Sequence, residues 1–235
     1  MNMILLFQDD FVGAGRVRLS GQRLRHVLDV RRAKPGDELS VGLLNGDMGT
    51  ATVKDISDES LEMDVSLFSP PPPALPLTLI LALPRPKMLR RVFFSAGSMG
   101  VKKIFLINSY RVEKSYWQSP FISDEHIGQQ LVLGLEQAKD TIMPTVQLRP
   151  RFKPFVEDEL PEMARDTTAM VAHPAAAGPC PRNVSGTVVL AIGPEGGFIP
   201  YEIEKFSACG FKPVTIGERI LRVETAVPYI ISRLF

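Results

Sequence analysis

A glycine-rich turn follows a strongly apolar stretch in the last third of the chain. The stretch Val188–Gly193 has the composition of a buried strand, and Gly193-Pro194-Glu195-Gly196-Gly197 continues directly from it. Glycine permits positive φ and a close backbone approach, and free amides at a helix start can receive a polar or anionic group. The turn carries neither a G-x-G-x-x-G motif nor a P-loop, so it predicts another kind of ligand site or a plain strand-to-helix turn.

A second candidate segment, Ile216–Ala226, also leaves a strand end and leads into a terminal helix. Glu224 and Thr225 occupy positions at which side chains are expected to cap that helix. Arg222 beside them fits an ion pair. Taken one at a time, these residues do not decide between a structural and a chemical role.

Together the two segments match one family pattern. G-P-E-G-G-[FL] at 193–198, followed by L-G-x-x-I-L-R-x-E-T-A at 216–226, resembles the signature of the RsmE methyltransferases of the SPOUT superfamily. His173-Pro174 resembles a third element of that family's cofactor loops, and Glu136-Gln137 resembles its E-Q motif. Four N-terminal elements are similar to its H-x-x-x-V-L-R-x-x-x-G-D stretch: His26, Val30, Arg32 and Pro35-Gly36-Asp37.

The resemblance implies an α/β fold, namely a SPOUT-type α/β domain with a C-terminal trefoil knot, preceded by a small PUA-like β-barrel domain. It also implies a homodimer that binds ribosomal RNA and transfers a methyl group from S-adenosylmethionine to N3 of a uridine in small-subunit (16S) ribosomal RNA. Carried over residue by residue, the cofactor-binding residues are Ala172, His173, Pro174, Ile192, Gly193, Pro194, Gly196, Gly197, Ile216, Gly217, Ile220, Leu221 and Arg222.

The implied chemistry assigns roles to two side chains. A uracil ring nitrogen is a poor nucleophile until its proton leaves, so the site needs a proton acceptor or a charge that stabilises the uracil anion. Arg222 is the candidate for stabilising the anion, and Glu195 is the candidate for accepting or orienting the proton. Proximity of the base to the sulfonium methyl would supply much of the remaining rate.

A proline run divides the chain into two predicted domains. Pro70–Pro73 lack amide donors and favour an extended conformation, so we place a domain junction there. The resemblance then implies an RNA-binding barrel at 1–69 and a methyltransferase domain at 74–235. Short strand-like runs joined by turns predict a small barrel or sandwich in the first domain. These runs are Glu38–Leu43, Gly49–Ile56 and Leu61–Phe68.

Beyond the prolines, strand-like runs alternate with helical patterns, which predicts a mainly parallel sheet with helices on both faces. Ligands of such sheets gather at the carboxyl ends of the strands. The predicted strands are Leu77–Leu83, Lys103–Asn108, Thr145–Leu148, Thr167–Ala172, Val188–Gly193 and Val214–Gly217. The predicted helices are Lys87–Ser98, Asp124–Lys139, Pro154–Arg165 and Pro200–Ala208, with a further helix at the C terminus.

Positive charge is concentrated in two parts of a chain whose net charge is only +1. The clusters lie at residues 16–34 and 85–114, and they suit a limited footprint on phosphates. Two solvated faces balanced by acids elsewhere explain the charge equally well. The candidate RNA contacts are His26, Arg32, Arg90 and Arg91, with a structural role as the alternative for His26. Tyr116 and Trp117 are candidates either to stack on a base or to pack internally.

The composition excludes several function classes. With 45% hydrophobic and 23% charged residues, the chain has the composition of a soluble globular protein. Cys180 and Cys209 lack ligand-like spacing, which predicts buried free thiols and no metal site. The chain shows neither a signal peptide nor the ~20 apolar residues of a membrane span. We therefore expect a cytoplasmic protein without a membrane partner.

Two departures from the family pattern leave alternatives open. Ser95–Val101 stands where the family has K-[AS]-T-E-L-G-V, and Ala138-Lys139-Asp140 stands where S-G-R is common. An acid, a lysine and an arginine are thereby lost where substrate contacts are expected. The alternatives are a cofactor- and RNA-binding homologue without turnover and a related methyltransferase with another RNA target.

Overall fold

The computed structural model of the protein describes residues 2–235, with the side chains of Val30 and Arg31 outside the description. Its Cα positions group into two units. The first unit is Met1–Pro73 with Val132–Met143, and the second is Ala74–Leu131 with Pro144–Phe235. The first division lies at the end of the proline run. The segment Val132–Met143, which sequence analysis placed with the methyltransferase domain, groups with the N-terminal residues instead.

The first unit contains a six-stranded mixed sheet in the order β1-β4-β5-β6-β3-β2, in which only β1 and β4 pair in parallel. The three predicted strands are present, whereas β1 to β3 and the helix α1 were not predicted. The sequence gives only a weak signal for these elements. The strands β1 to β3 are short, and Leu24 and Val27 are the only described residues of α1 that are buried. The elements are β1 Ile4–Leu6, β2 Phe11–Gly13, β3 Arg16–Ser20, α1 Gly21–Arg31, β4 Glu38–Leu43, β5 Met48–Ile56 and β6 Ser60–Ser69.

The E-Q motif lies at the end of a helix, α3 (Asp124–Ala138), and holds the first strand of this unit. The backbone carbonyl of Glu136 accepts hydrogen bonds from the amides of Asn2 and Met3, each at 3.0 Å. Its side-chain Oε1 accepts from the amide of Leu5 at 3.1 Å. Leu135 packs with Met3 and Leu5 in a small buried cluster. In this structure the motif therefore fixes an N-terminal strand.

Replacing Glu136 should reveal the cost of burying its carboxylate. Burial raises the pKa of the Glu136 carboxyl above its ordinary value, against the opposing hydrogen bond from Leu5. The native state thus binds the proton more tightly than the unfolded chain. The stability from this group is complete below the unfolded pKa and is lost as pH rises through the folded pKa. We expect Glu136→Gln, which keeps an acceptor oxygen, to be more stable than the parent at about pH 8, and the difference to shrink towards about pH 4.

Urea denaturation at several pH values measures this difference, with the exposed Glu59→Gln of the same unit as control. A parent protein more stable than Glu136→Gln at the higher pH would contradict the interpretation.

The second unit contains a seven-stranded sheet in the order β11-β13-β10-β12-β7-β8-β9, and every pair in it is parallel. The α/β fold and its parallel sheet are confirmed. The strands are β7 Leu77–Ala82, β8 Lys103–Ile107, β9 Thr145–Arg149, β10 Thr168–Ala172, β11 Gly178–Pro179, β12 Val188–Ile192 and β13 Lys212–Thr215. Only β11, two residues long, was not predicted.

The helices of this unit begin and end close to the predicted positions. They are α2 Pro86–Ser98, α4 Phe152–Pro154, α5 Leu160–Ala164, α6 Pro200–Ala208 and α7 Val223–Leu234. The helix α3 Asp124–Ala138 begins in this unit, and its residues from Val132 onwards belong to the first unit. The predicted helix Pro154–Arg165 is divided, because a π-helical turn at Phe155–Glu159 separates α4 from α5. Within the described chain, no helix is long and apolar enough to cross a membrane.

The two cysteines are free thiols that differ in burial. Cys180 is buried as predicted. Cys209 is only half-buried, so the prediction is wrong for this residue; it lies at the end of α6, where its Sγ reaches the carbonyl of Val156 at 3.3 Å. Among the described residues, no group of three or more His, Cys, Asp or Glu side chains could hold a metal ion.

Candidate functional site

Three loops at one edge of the parallel sheet surround a cavity of about 420 Å³. Ala172, at the end of β10, is in register with Ile192 of β12 on one side and Val214 of β13 on the other. The carboxyl ends of these strands therefore lie side by side, and the loops that follow them meet. Every residue predicted to bind the cofactor lines this cavity: Ala172, His173, Pro174, Ile192, Gly193, Pro194, Gly196, Gly197, Ile216, Gly217, Ile220, Leu221 and Arg222.

The glycine-rich turn after β12 is tightly folded at Gly193 and has a positive φ at Gly197. A Cβ on Gly193 would lie 3.1 Å from the amide nitrogen of Phe198 and 3.3 Å from the carbonyl carbon of Gly197. Gly197 has φ +71° and donates a 2.7 Å hydrogen bond to Pro194. Phe198 is buried against Phe206 of α6, with ring centroids 5.0 Å apart. These two positions favour glycine, and the turn forms part of the cavity wall.

The loop between β13 and α7 contributes a glycine with positive φ and an arginine to the cavity. Gly217 has φ +133°, a conformation that residues with a side chain rarely adopt. Arg222 is exposed and precedes α7, and its carbonyl accepts hydrogen bonds from the amides of Thr225 and Ala226. Arg222 occupies the N-cap position of α7, and Glu224 and Thr225 lie inside its first turn.

Glu224 does not line the cavity, and its side chain pairs with an arginine of α2. Its Oε1 lies 3.6 Å from a guanidinium nitrogen of Arg91. Its Oε2 is buried and has no hydrogen-bond partner among the described residues. This ion pair links the start of α7 to α2, against which α7 packs.

Glu195 is the one cavity-lining carboxylate on the glycine-rich turn. Its side chain is exposed, and its Oε1 accepts a 2.9 Å hydrogen bond from the amide of Arg85, the residue that precedes α2. This bond orients the carboxylate and ties the turn to the start of α2.

Arg111 is a cavity residue that sequence analysis missed. It lies in the loop after β8, and its Nη1 donates a hydrogen bond to the carbonyl of Gly196. A Cβ on Gly196 would lie 2.9 Å from Cδ of Arg111, so the arginine side chain crosses directly over the turn. Arg111 could have been identified from the sequence by its position in the loop after a parallel strand, because ligands of such sheets bind at the carboxyl ends of the strands.

A buried carboxylate, Glu202, holds the loop that carries Arg111. Glu202 lies on α6 and is only 2% exposed. Its Oε1 accepts from the amide of Tyr110 at 2.7 Å, and its Oε2 accepts from the amide of Ile199 at 2.9 Å. One side chain thereby joins the loop after β8 to the start of α6.

Removing Glu202 should therefore destabilise the protein. Glu202→Ala leaves two backbone donors without their acceptor, at a cost of about 2–4 kcal/mol if each contributes about 1–2 kcal/mol. Glu202→Gln retains one oxygen and should lose less. Denaturant unfolding measures the difference, and Glu204→Ala, at an exposed position of the same helix, should change stability by no more than about 0.5 kcal/mol. Equal stabilities of Glu202→Ala and Glu204→Ala would contradict the assignment.

The predicted RNA contacts do not line the cavity. His26 and Arg32 are exposed in the first unit, and Arg90 and Arg91 are exposed on α2 in the second. The guanidinium of Arg90 lies 5.6 Å from the ring centroid of Phe121. Arg32 ends α1 with φ +50°. Of the basic cluster at 16–34, the side chain of Arg31 lies outside the described residues, as does that of Val30 in the family stretch.

The two aromatic candidates are half-buried and hydrogen-bonded within the second unit. Trp117 donates from Nε1 to Oδ1 of Asn108 at 3.0 Å. The side chains of Tyr116 and Arg85 form a hydrogen bond that raises the pKa of Arg85 above its ordinary value. Burial, more than the neighbouring Glu113, raises the pKa of Tyr116.

Comparison with known proteins places this arrangement in a family. Residues 71–235 match a family described as an RNA methyltransferase domain. The chain is 30% identical to a ribosomal RNA small subunit methyltransferase E from Treponema pallidum, over 96% of this chain and 87% of that protein. A ribosomal RNA small subunit methyltransferase E 1 from Borreliella burgdorferi is 23% identical, over 96% of this chain and 94% of that protein.

A solved structure shares the fold. It is a ribosomal RNA small subunit methyltransferase E from Neisseria gonorrhoeae bound to S-adenosyl methionine, with a TM-score of 0.74 and 21% identity. The likeness covers 98% of this chain and 95% of that one. The likeness extends over both units of the chain.

Proposed function

The chain belongs to the RNA methyltransferase domain family, and from that membership we propose that it methylates N3 of a uridine in small-subunit (16S) ribosomal RNA, with S-adenosylmethionine as donor. One observation carries the proposal. The loop residues that match the family signature, although scattered between 172 and 222 in sequence, line a single cavity. The names of the full-length relatives support the substrate class.

The composition of the cavity wall fits this donor. Glycine-rich turns expose backbone amides and carbonyls that can hydrogen-bond an adenine edge and a ribose. Apolar side chains such as Ile192, Leu221 and Ile230 supply the surface on which an adenine ring packs. S-adenosylmethionine, when bound, supplies an electrophilic methyl group. The residues that would hold it are the thirteen loop residues, chiefly through their backbone.

The side chains at the rim would prepare the uracil. Arg222 would stabilise the negative charge that develops on the ring as N3 loses its proton. Glu195, oriented by its bond to the amide of Arg85, would accept or direct that proton. Arg111, held across Gly196, adds a second positive charge on the opposite loop. The base and the methyl donor would then be held in one cavity, so that methyl transfer becomes an effectively unimolecular step.

The finer architecture is part of the same proposal. Residues 1–69 would form a PUA-like, RNA-binding barrel and residues 74–235 a trefoil-knotted methyltransferase domain, in a cytoplasmic homodimer. The strand order supports a knot, because β12 lies between β10 and β7, while the later β13 lies beyond β10 and leads to α7. His26, Arg32, Arg90 and Arg91 would contact phosphates, which position an RNA without reading its sequence.

Transfer of labelled methyl groups to small ribosomal subunits, naked small-subunit RNA and transfer RNA tests the function. We expect transfer to a small-subunit substrate, with N3-methyluridine found by mass spectrometry after nuclease digestion. Transfer to transfer RNA alone would assign another target. Cofactor binding without transfer to any of the three would favour a binding homologue that has lost turnover. Absence of cofactor binding would overturn the proposal.

A further inference from the structure

A second cavity, of about 450 Å³, opens at the start of α2. It is lined by Arg85, Pro86, Lys87, Arg90, Tyr116 and Phe121, which we call the α2 pocket. Three of these side chains are cations and two are aromatic rings. Its volume lies within the range of pockets that bind small organic groups.

The cations of the α2 pocket are not neutralised by direct ion pairs. Within the described chain, no carboxylate oxygen lies within 4.0 Å of a side-chain nitrogen of Arg85, Lys87 or Arg90. Glu195 and Glu113 attract Arg85 at longer range, and Glu113 also interacts with the side chain of Tyr116. The pocket therefore keeps a net positive charge that attracts an anionic group.

Two cations of the α2 pocket lie beside its aromatic rings. The guanidinium of Arg90 lies 5.6 Å from the ring centroid of Phe121. Attraction between the Arg85 guanidinium and the Tyr116 side chain is the main reason that the pKa of Arg85 is raised above its ordinary value. Phe121 also meets the ring of His126 edge to face, with centroids 5.6 Å apart. Proteins that bind single-stranded nucleic acid combine positive charge for the backbone with aromatic rings on which bases stack. The α2 pocket contains both parts.

The α2 pocket adjoins the methyl-donor cavity. The amide of Arg85, which lines the α2 pocket, donates directly to Glu195, which lines the cavity. The short segment from Arg111 to Tyr116 likewise connects a residue of one to a residue of the other. An RNA strand whose target base enters the cavity would bring a neighbouring nucleotide to the α2 pocket.

We propose that the α2 pocket is a subsite for one unpaired nucleotide that flanks the methylated uridine. Lys87 and Arg90 bind its phosphate, while Tyr116 and Phe121 stack on its base. The inference rests on the proposed function for the identity of the RNA. The subsite requires a single-stranded segment of RNA, because a base that is paired and stacked could not enter the α2 pocket.

Direct binding of a short uridine-containing RNA, in the presence of the cofactor, tests the subsite. Trp117, the sole tryptophan, follows Tyr116 in sequence, so its fluorescence is a local probe, and calorimetry gives Kd independently. The double variant Lys87→Gln, Arg90→Gln should bind about tenfold more weakly, with a salt slope lower by about 0.7 for each phosphate contact removed. Phe121→Leu should also bind about tenfold more weakly, with an unchanged salt slope.

The matched control is Lys212→Gln, which removes an exposed lysine of β13 that lines neither cavity. It should keep the RNA affinity of the parent, and all variants should keep cofactor affinity. Thermal unfolding checks that Phe121→Leu is folded, and the double variant at exposed positions carries the test if it is not.

Each outcome separates the subsite from the enzymatic function. Unchanged RNA affinity and salt slope in the double variant would overturn the subsite, whatever the methylation assay shows. A lower molecular mass of the double variant by light scattering, with full RNA affinity, would also overturn it and assign the pocket to contact with a second copy. Selective loss of RNA affinity would support the subsite even if the parent transferred no methyl group, because binding is measured directly.

Discussion

Arg222→Ala should lower the single-turnover rate of methyl transfer by about 100-fold or more while leaving the cofactor Kd nearly unchanged. The expected size is that of removing one preorganised group that stabilises charge in a transition state. Arg222 contributes its backbone to the loop before α7, which the substitution leaves in place, and its exposed guanidinium at the cavity, which it removes. Arg222→Lys should recover only part of the rate, because an ammonium group lacks the planar fork of donors.

Arg219 offers a comparison within the same loop. It also lines the cavity and is exposed, so Arg219→Ala removes the same charge from the same region. We expect a much smaller loss of rate than for Arg222→Ala. Equal losses in the two variants would show that general positive potential, rather than a specific contact by Arg222, assists the reaction. A loss of cofactor affinity that accounts for the whole effect would assign Arg222 to binding alone.

Gly217→Ala should weaken binding of S-adenosylmethionine by at least about tenfold. At φ +133° an alanine is strained whatever the surrounding space, at a cost of about 1–2 kcal/mol that the loop can relieve by changing its backbone. That change moves the peptide groups of Ile216 and Gly217 away from the cavity they line. Calorimetry measures the change in Kd.

Gly210→Ala is the matched control for this substitution. Gly210 has φ +89° and, like Gly217, open space where a Cβ would lie, but it ends α6 away from the cavity lining. Both variants should lose comparable stability, whereas only Gly217→Ala should lose cofactor affinity. A Gly217→Ala protein that binds the cofactor normally would remove this loop from the binding site.

The sequence by itself determined the parallel sheet and the loops that form the cavity. Strand and helix periodicity is a local property, so β7 to β10, β12 and the helices between them could be read directly from the chain. The glycine-rich turn could also be recognised from the sequence, because tight turns and positive φ restrict the residue type at single positions. The two signature segments, 193–198 and 216–226, were assigned to one site by their resemblance to a family pattern, and parallel strands bring their carboxyl ends together.

Only the tertiary structure decided which distant side chains complete that site. Arg111 reaches Gly196 because Glu202, far along the chain, accepts the amide beside it. The hydrogen bond between Glu136 of α3 and Leu5 of the first strand likewise joins remote segments, as does the grouping of Val132–Met143 with the N-terminal unit. Such contacts leave no periodic or spacing signal in a single sequence. They are set by the packing of elements whose faces become defined only in the folded chain.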